Sequence, residues 1–181
     1  MARKSNDFDN TWKYLLEEFF QYFVAFFFPK IYEKIDWTKS HEFLDNEFHQ
    51  VIEEEKLKKS LVDKLVKVWL NGGKEMWILI HIEIQNQRDK YFSQRMFDYF
   101  IAIYQRFGKR VASMAILGDP NKNWKPSVFE YNNLESGVKF HFPIVKLMDY
   151  SKKWDELRKC TNPFAIIVMA HLRILEAGKD V

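Results

Sequence analysis

The fold of this chain is decided by residues 61–85, which read LVDKLVKVWLNGGKEMWILIHIEIQ. Two runs rich in valine, leucine and isoleucine, Leu61–Trp69 and Met76–Gln85, flank an Asn-Gly-Gly sequence at residues 71–73. Asparagine followed by glycine adopts the backbone conformation that short turns between antiparallel strands require. The stretch therefore predicts a β-hairpin at the centre of the chain.

The second strand of this hairpin has two different faces. Because side chains alternate across a strand, the isoleucines at even positions from 78 to 84 share one face. His81, Glu83 and Gln85 share the other face. With the turn centred on the two glycines, Asp63 of the first strand lies opposite the stretch from His81 to Glu83. The hairpin thus predicts one polar cluster, formed by Asp63, Glu83 and Gln85.

The cluster has a metal-binding and a purely structural interpretation. A carboxylate in the middle of an apolar strand is disfavoured, so Glu83 needs a cation, an ion pair or a solvent cleft. Two carboxylates with an amide or backbone oxygen make a site suited to Mg²⁺ or Mn²⁺. In the structural alternative, Asp63 and Glu83 pair with Lys64, Lys67 or Arg88 on a half-exposed sheet. Spacing by itself favours that second interpretation.

The segment before the hairpin predicts mostly helical structure. The cap-type residues Asp9–Thr11 precede an aromatic helix that we expect to end before Pro29. Residues 43–48 predict a short strand or an irregular run, and the charged residues 53–59 predict a solvated face. Alternation and turn signals predict the later elements in this order: a helix between an N-cap at Ser93 and Gly108, a buried strand at Val111–Leu117, strands at Ser127–Tyr131 and Gly137–Phe142, an extension of the sheet at Pro143–Leu147, and a helix from Asn162-Pro163 to about Leu175.

The composition is that of a globular domain that is large enough to bury a core without disulfide or metal cross-links. The chain has 181 residues, of which 47% are hydrophobic and 29% charged, with a net charge of +3 and a single cysteine, Cys160. One cysteine excludes an internal disulfide framework and suits a reducing compartment. The apolar run Phe19–Phe28 is too short to span a bilayer, which needs roughly 20 residues. Residues 1–10 carry no cleavable apolar segment, so we expect a cytoplasmic protein without a membrane partner.

Four segments carry a resemblance to a known family. They are residues 61–85, Arg95-Met-Phe-Asp-Tyr99, Ser113-Met-Ala-Ile-Leu-Gly-Asp119 and Asn162-Pro-Phe-Ala-Ile-Ile-Val-Met-Ala-His171. Together they resemble the recombination-promoting nuclease and putative transposase family, which belongs to the PD-(D/E)XK, restriction-endonuclease-like superfamily. The resemblance covers most of the chain. It implies an α/β (α+β) fold in which helices flank a mixed β-sheet core.

The same resemblance implies one nuclease-like domain over residues 1–181. This domain would have an N-terminal helical segment at 9–60, a core at 61–147 and C-terminal helices at 150–178. The implied activity is metal-dependent hydrolysis of DNA phosphodiesters by an endonuclease associated with mobile elements or recombination, with DNA as the partner and Mg²⁺ or Mn²⁺ as the cofactor.

Carried over by motif, Asp63 and Glu83 would be catalytic metal ligands, together with the carbonyl of Ile84. Gln85 stands where the wider superfamily has lysine. A lysine can orient or deprotonate the attacking water, whereas glutamine only donates or accepts hydrogen bonds. Activation of the water would then depend more heavily on the ion.

Further residues are predicted around this site. Asp45 is expected to add a catalytic carboxylate from the N-terminal segment, with Glu54 as the alternative. Arg95 and Tyr99, one helical turn apart, are predicted to contact DNA phosphate, with a surface ion pair and a packed tyrosine as the alternatives. Lys64 is a further candidate for phosphate contact.

Two other functional hypotheses remain beside the endonuclease. One is a catalytically inactive relic that acts as a DNA-binding or protein-interaction module. The other, which can coexist with either function, is a homodimer formed through the aromatic segment Phe19–Phe28 and the helix 93–107. His81 shares the face of Glu83 and is interpreted as a hydrogen-bonded structural group, with a catalytic role as the alternative. His171 and Cys160 belong to no metal or triad constellation that the spacing reveals.

Overall fold

The computed structural model describes residues 11–54, 63–83 and 89–177, and at positions 45, 47, 51, 52, 54, 63 and 80–83 it describes only the backbone. The helices are α1 (11–18), α2 (Phe20–Phe27), α3 (Pro29–Tyr32), α4 (Asp45–Glu54), α5 (Phe92–Phe107), α6 (Trp154–Lys159) and α7 (Pro163–Ala177), with a 3₁₀ helix at Leu147–Lys152. The strands are β1 (Glu42–Phe43), β2 (Asp63–Trp69), β3 (Glu75–Glu83), β4 (Val111–Leu117), β5 (Val128–Asn133), β6 (Ser136–His141) and β7 (Ile144–Lys146).

A five-stranded mixed sheet in the order β1-β2-β3-β4-β7 organises the fold. The predicted hairpin is confirmed, since β2 and β3 pair antiparallel and Asp63 lies opposite His81. Its turn holds Gly72 at φ 96° and Gly73 at φ 85°, which residues with a Cβ rarely adopt. The strands β3, β4 and β7 run parallel, and α5 makes the crossover between β3 and β4. The predicted α/β class with a mixed sheet flanked by helices is correct.

One face of this sheet, which carries Val66, Ile78 and Met114, is called the back face. It is covered by α1, α2 and α7, and the contact forms one continuous apolar core. Aromatic rings fill it: the ring of Phe164 lies 5.3 Å from that of Phe23 and 6.1 Å from that of Trp12. This core joins the first and the last of the described helices to the sheet.

The opposite face, which carries Leu65, Leu79 and Ser113, is called the front face. It is covered by α4 and α5, and the apolar contacts of its described side chains form two clusters. One cluster surrounds Leu65 and Leu79, and the other surrounds Leu117 near the end of β4. Beyond α5, the β5–β6 hairpin packs its Phe129 and Phe140 rings against that helix.

Three local predictions are wrong in detail. The N-terminal helix is not continuous, because the backbone leaves helical geometry at Phe19. Residues 45–54 form a helix, because Leu44 and Phe48, four positions apart, are both buried on the side facing β2 and α5. Helix α5 starts at Phe92 and not after Ser93, and the Asp89 carboxylate accepts the Tyr91 amide at 2.8 Å.

Two predicted helix ends are confirmed. Gly108 ends α5 in the left-handed conformation, with φ 62°. The Asn162 side chain accepts the Phe164 amide at 3.0 Å, and Pro163 is the first residue of α7. Across residues 11–54, 63–83 and 89–177, no helix combines the length and the hydrophobicity needed to cross a bilayer.

Candidate functional site

The predicted polar positions meet at one end of the sheet. Asp63 is the first residue of β2, and it pairs in register with His81, two residues before the end of β3. Glu83, the last residue of β3, pairs in register with Leu117, the last residue of β4. Because directly paired residues share a face, and because residues two apart also share it, positions 63, 81 and 83 belong to the front face.

This end of the sheet is the carboxyl end of its parallel strands. The strands β3, β4 and β7 all finish here, and Glu83, Leu117 and Lys146 are aligned in register. Ligands of open α/β sheets bind beyond the carboxyl ends of the strands, where loops diverge. The position of Glu83 is therefore the one where this architecture usually holds a ligand.

The backbone also brings Asp45 towards the same end. The Leu44 amide donates to the Leu65 carbonyl at 2.8 Å, so the chain enters α4 directly beside β2. Asp45 is the first residue of α4, whereas Glu54 is its last. Nine residues of helix separate the two by about 13 Å along the axis. Of the two predicted carboxylates, Asp45 is the one whose backbone lies near the start of β2.

Arg95 and Tyr99 have different environments on α5. The Arg95 guanidinium pairs with the Asp89 carboxylate at 2.5 Å, and only 11% of the Arg95 side chain is exposed. Tyr99 is fully buried, and its ring meets Phe48 edge-on at 5.5 Å. Tyr99 is therefore a packed tyrosine, and its burial prevents the predicted contact with phosphate in this conformation.

Lys64 lies on the wrong face for the predicted role. It is 1% exposed and pairs with Glu17 of α1, with its ammonium 5.5 Å from the centre of the Phe43 ring. Alternation along β2 assigns it to the back face, opposite Asp63. Lys67 is on the front face but pairs with Glu42 of β1. The structure thus uses Lys64 to hold α1 to the sheet, which makes it unsuitable for contacting DNA.

Several predicted site residues lie beyond what the structure describes. Ile84, Gln85 and Arg88 fall between the described ranges, and the side chains of Asp45, Asp63 and Glu83 are likewise outside them. Among the side chains that are described, no group of three His, Cys, Asp or Glu residues could hold a metal ion. The donor types at 45, 63 and 83 are carboxylates, which Mg²⁺ and Mn²⁺ prefer, so the residues present fit such an ion chemically.

A buried charged pair near this edge escaped the sequence analysis. Asp119, two residues past β4, pairs with Lys146 of β7, and their side chains are 2% and 0% exposed. Burial lowers the pKa of Lys146, although Asp119 acts against that shift. Lys146 in the short apolar strand β7 could have indicated a buried ion pair. The sequence could not identify Asp119 as its partner, because the two residues are 27 positions apart.

His171 is connected to the same region from the back face. Its Nε2 lies 2.7 Å from the carbonyl oxygen of Gly118, the residue that follows β4. Burial lowers the pKa of His171, so the neutral imidazole that donates to this carbonyl is favoured. Cys160 is exposed and far in sequence from these groups.

Comparison with known proteins supports the resemblance seen in the sequence. A family model described as "Putative transposase, YhgA-like" matches residues 13–116, more than half of the chain. This family belongs to the PD-(D/E)XK-like group. The matched range includes β1 to β3 and all of β4 except Leu117, and it contains both Asp63 and Glu83. No curated protein and no solved structure matches the chain.

Proposed function

The chain belongs to the YhgA-like family of transposase-type proteins, and we propose that it is a metal-dependent DNA endonuclease that hydrolyses phosphodiester bonds. The observation that carries the proposal is the register of β2, β3 and β4. It assigns Asp63 and Glu83 to one face, at the carboxyl end of parallel strands. Asp45 starts a helix beside the same strand.

In this proposal Asp63, Glu83 and the Ile84 carbonyl hold Mg²⁺ or Mn²⁺, and Asp45 adds a further carboxylate. A divalent ion bound there would lower the pKa of a coordinated water and neutralise charge that develops on the scissile phosphate. Gln85 would orient the attacking water through hydrogen bonds, because an amide cannot remove its proton.

Arg95 is the predicted phosphate contact whose location suits this site. It lies in the first turns of α5, the first described helix after Glu83 in the chain. The Arg95 guanidinium donates to the Asp89 carboxylate, so its orientation is fixed before DNA binds. A charged group held in this way can meet a phosphate at a small entropic cost.

Nicking of supercoiled plasmid DNA in the presence of Mg²⁺ tests the proposal. Asp63→Asn and Glu83→Gln should each lower the rate of nicking by at least about 100-fold, because each change removes a metal ligand. Asp155→Asn is a matched control, because its carboxylate is 87% exposed in α6 and should leave nicking unchanged. Wild-type rates in the Asp63→Asn variant would overturn the proposal.

Calorimetry with Mn²⁺ separates the endonuclease from the inactive relic. An endonuclease should bind Mn²⁺ with an affinity that Asp63→Asn reduces. A protein that binds DNA, takes up no Mn²⁺ and does not nick plasmid would instead be a DNA-binding relic of a nuclease.

A further inference from the structure

The Asp119–Lys146 pair is buried more deeply than an ordinary structural ion pair needs to be. Both residues are at most 2% exposed. Taking two charges out of water is costly, and a pair of apolar residues often gives equal or greater stability in such a place. A pair kept under these conditions calls for an explanation beyond its contribution to folding.

The location of the pair supplies that explanation. Lys146 is in register with Leu117, and Leu117 is in register with Glu83, so the three residues form one row across β3, β4 and β7. Two strand spacings separate the backbones of Glu83 and Lys146, which is about 10 Å. Residues in one row share a face, so Lys146 belongs to the front face with Glu83.

Several contacts fix the pair in this position. Asp119 Oδ1 accepts the Asn121 amide at 2.9 Å, while Oδ2 faces the Lys146 ammonium. The Lys146 Nζ lies 5.4 Å from the centre of the Trp124 ring, and this ring packs on Phe92 at the start of α5. The end of β4 is therefore attached to β7 and α5 on the front side.

We propose that Asp119 and Lys146 are a charge-balancing pair beside the divalent ion at Glu83, an inference that rests on the proposed nuclease function. The pair holds one positive and one negative charge in the same row as Glu83, and these two charges cancel at the ion. Lys146 acts through Asp119 and not as a catalytic lysine, because its ammonium is enclosed by Asp119 and Trp124. The neutrality of the pair leaves the attraction for the cation to Asp63 and Glu83.

Neutralising each partner separately tests this role through Mn²⁺ affinity. Asp119→Asn leaves a positive charge near the ion and should weaken Mn²⁺ binding by about fivefold to tenfold. Lys146→Met leaves a negative charge and should strengthen binding by a similar factor. Both variants should lower the melting temperature of the metal-free protein. A pair that lies too far from the ion to act on it would lower stability in the same way but would leave Mn²⁺ affinity unchanged in both variants.

The double variant D119N/K146M restores neutrality. Its Mn²⁺ affinity should return to within about twofold of the wild-type value. The double variant also tests the proposal if a single variant fails to fold, because it buries no unpaired charge. A folded double variant that has lost Mn²⁺ binding would overturn the charge balance, as would two folded single variants with equal affinities.

The chain offers a matched control in Lys125 and Asp149. This pair joins the segment after β4 to the 3₁₀ helix that follows β7, at 2.8 Å, and its side chains are 43% and 53% exposed. Lys125→Met should leave Mn²⁺ affinity unchanged, because solvent screens exposed charges. The wild-type protein is measured first. If it binds no Mn²⁺, the proposed function fails; if it binds Mn²⁺ and the Asp119 and Lys146 variants bind equally well, only the charge-balancing role fails.

Discussion

The back and front faces of the sheet differ in how their apolar contacts are distributed. On the back face, α1, α2 and α7 form one uninterrupted core with the strands. Among the described side chains of the front face, α4 and α5 form two clusters with the strands, and the second of them adjoins the end of β3 that carries Glu83. We expect stability to come mainly from the back face, whereas the proposed metal site belongs to the front face.

Truncation of a back-face ring should produce the largest loss of stability. Phe164 is fully buried against Trp12, Phe23 and Phe27. Phe164→Ala should lower the free energy of unfolding by about 3–5 kcal/mol, because it removes apolar contact and leaves a cavity. Urea denaturation measures the change. Ile166→Ala on the same helix is the control, since Ile166 is 65% exposed and should cost under about 1 kcal/mol. A loss below about 1 kcal/mol for Phe164→Ala would break the comparison.

A moderate effect on the free energy of unfolding is expected from a change in pH, because the titrating residue His171 joins α7 to the end of β4. Its pKa in the folded protein lies below the ordinary value of 6.5. As the pH falls below about 6.5, the unfolded chain therefore takes up a proton before the folded protein does, and stability is lost. Each unit by which the pKa is lowered corresponds to about 1.4 kcal/mol.

The His171→Gln variant tests whether His171 causes this loss of stability, because the glutamine amide can still donate to the Gly118 carbonyl but does not titrate. Urea denaturation between pH 7 and pH 5 should show a smaller loss of stability in the variant than in the wild type. Part of the loss should remain, because burial also lowers the pKa of His41. An identical pH dependence in both proteins would exclude His171 as its source.

The smallest effect concerns the β5–β6 hairpin, which lies on the front side beyond α5. Leu134 at its turn has φ 55°, a left-handed conformation, and is 99% exposed. Leu134→Gly should raise the free energy of unfolding by about 0.5–1 kcal/mol, since it relieves steric strain and loses no packing. Glu135→Gly at the neighbouring position, which does not have a positive φ, should lower stability slightly. Thermal unfolding should therefore show a higher melting temperature for Leu134→Gly and a lower one for Glu135→Gly than for the wild type.

Local signals explain which parts of the fold could be predicted from the sequence. The hairpin, β4 and the helix ends at Gly108 and Asn162 depend on residues adjacent in the chain, and all of them are correct. The break at Phe19 could not be predicted in this way. It depends on how α1 and α2 pack across the sheet, and no proline or glycine marks it.

The strand register beneath the candidate site was predictable to the same extent. Alternation and turn position brought Asp63 opposite His81, which the register confirms. Lys64 was misplaced because its neighbour in sequence, Asp63, belongs to the opposite face of the strand. The Asp119–Lys146 pair was missed because it links elements that only the parallel arrangement of β4 and β7 brings together. Long-range pairing of this kind leaves no pattern in a short window of sequence.

The contact between the two ends of the described chain has a consequence for how the protein is made. Asn162 at the start of α7 donates from Nδ2 to the Tyr22 carbonyl of α2 at 2.9 Å, across 140 residues. During synthesis the aromatic helices α1 and α2 leave the ribosome long before α7 does. Phe23 and Phe27, whose rings meet Phe164 of α7, therefore stay partly uncovered until α7 has emerged, and a nascent chain in this state is prone to aggregation. We expect this protein to depend on chaperones that shield aromatic segments on the ribosome.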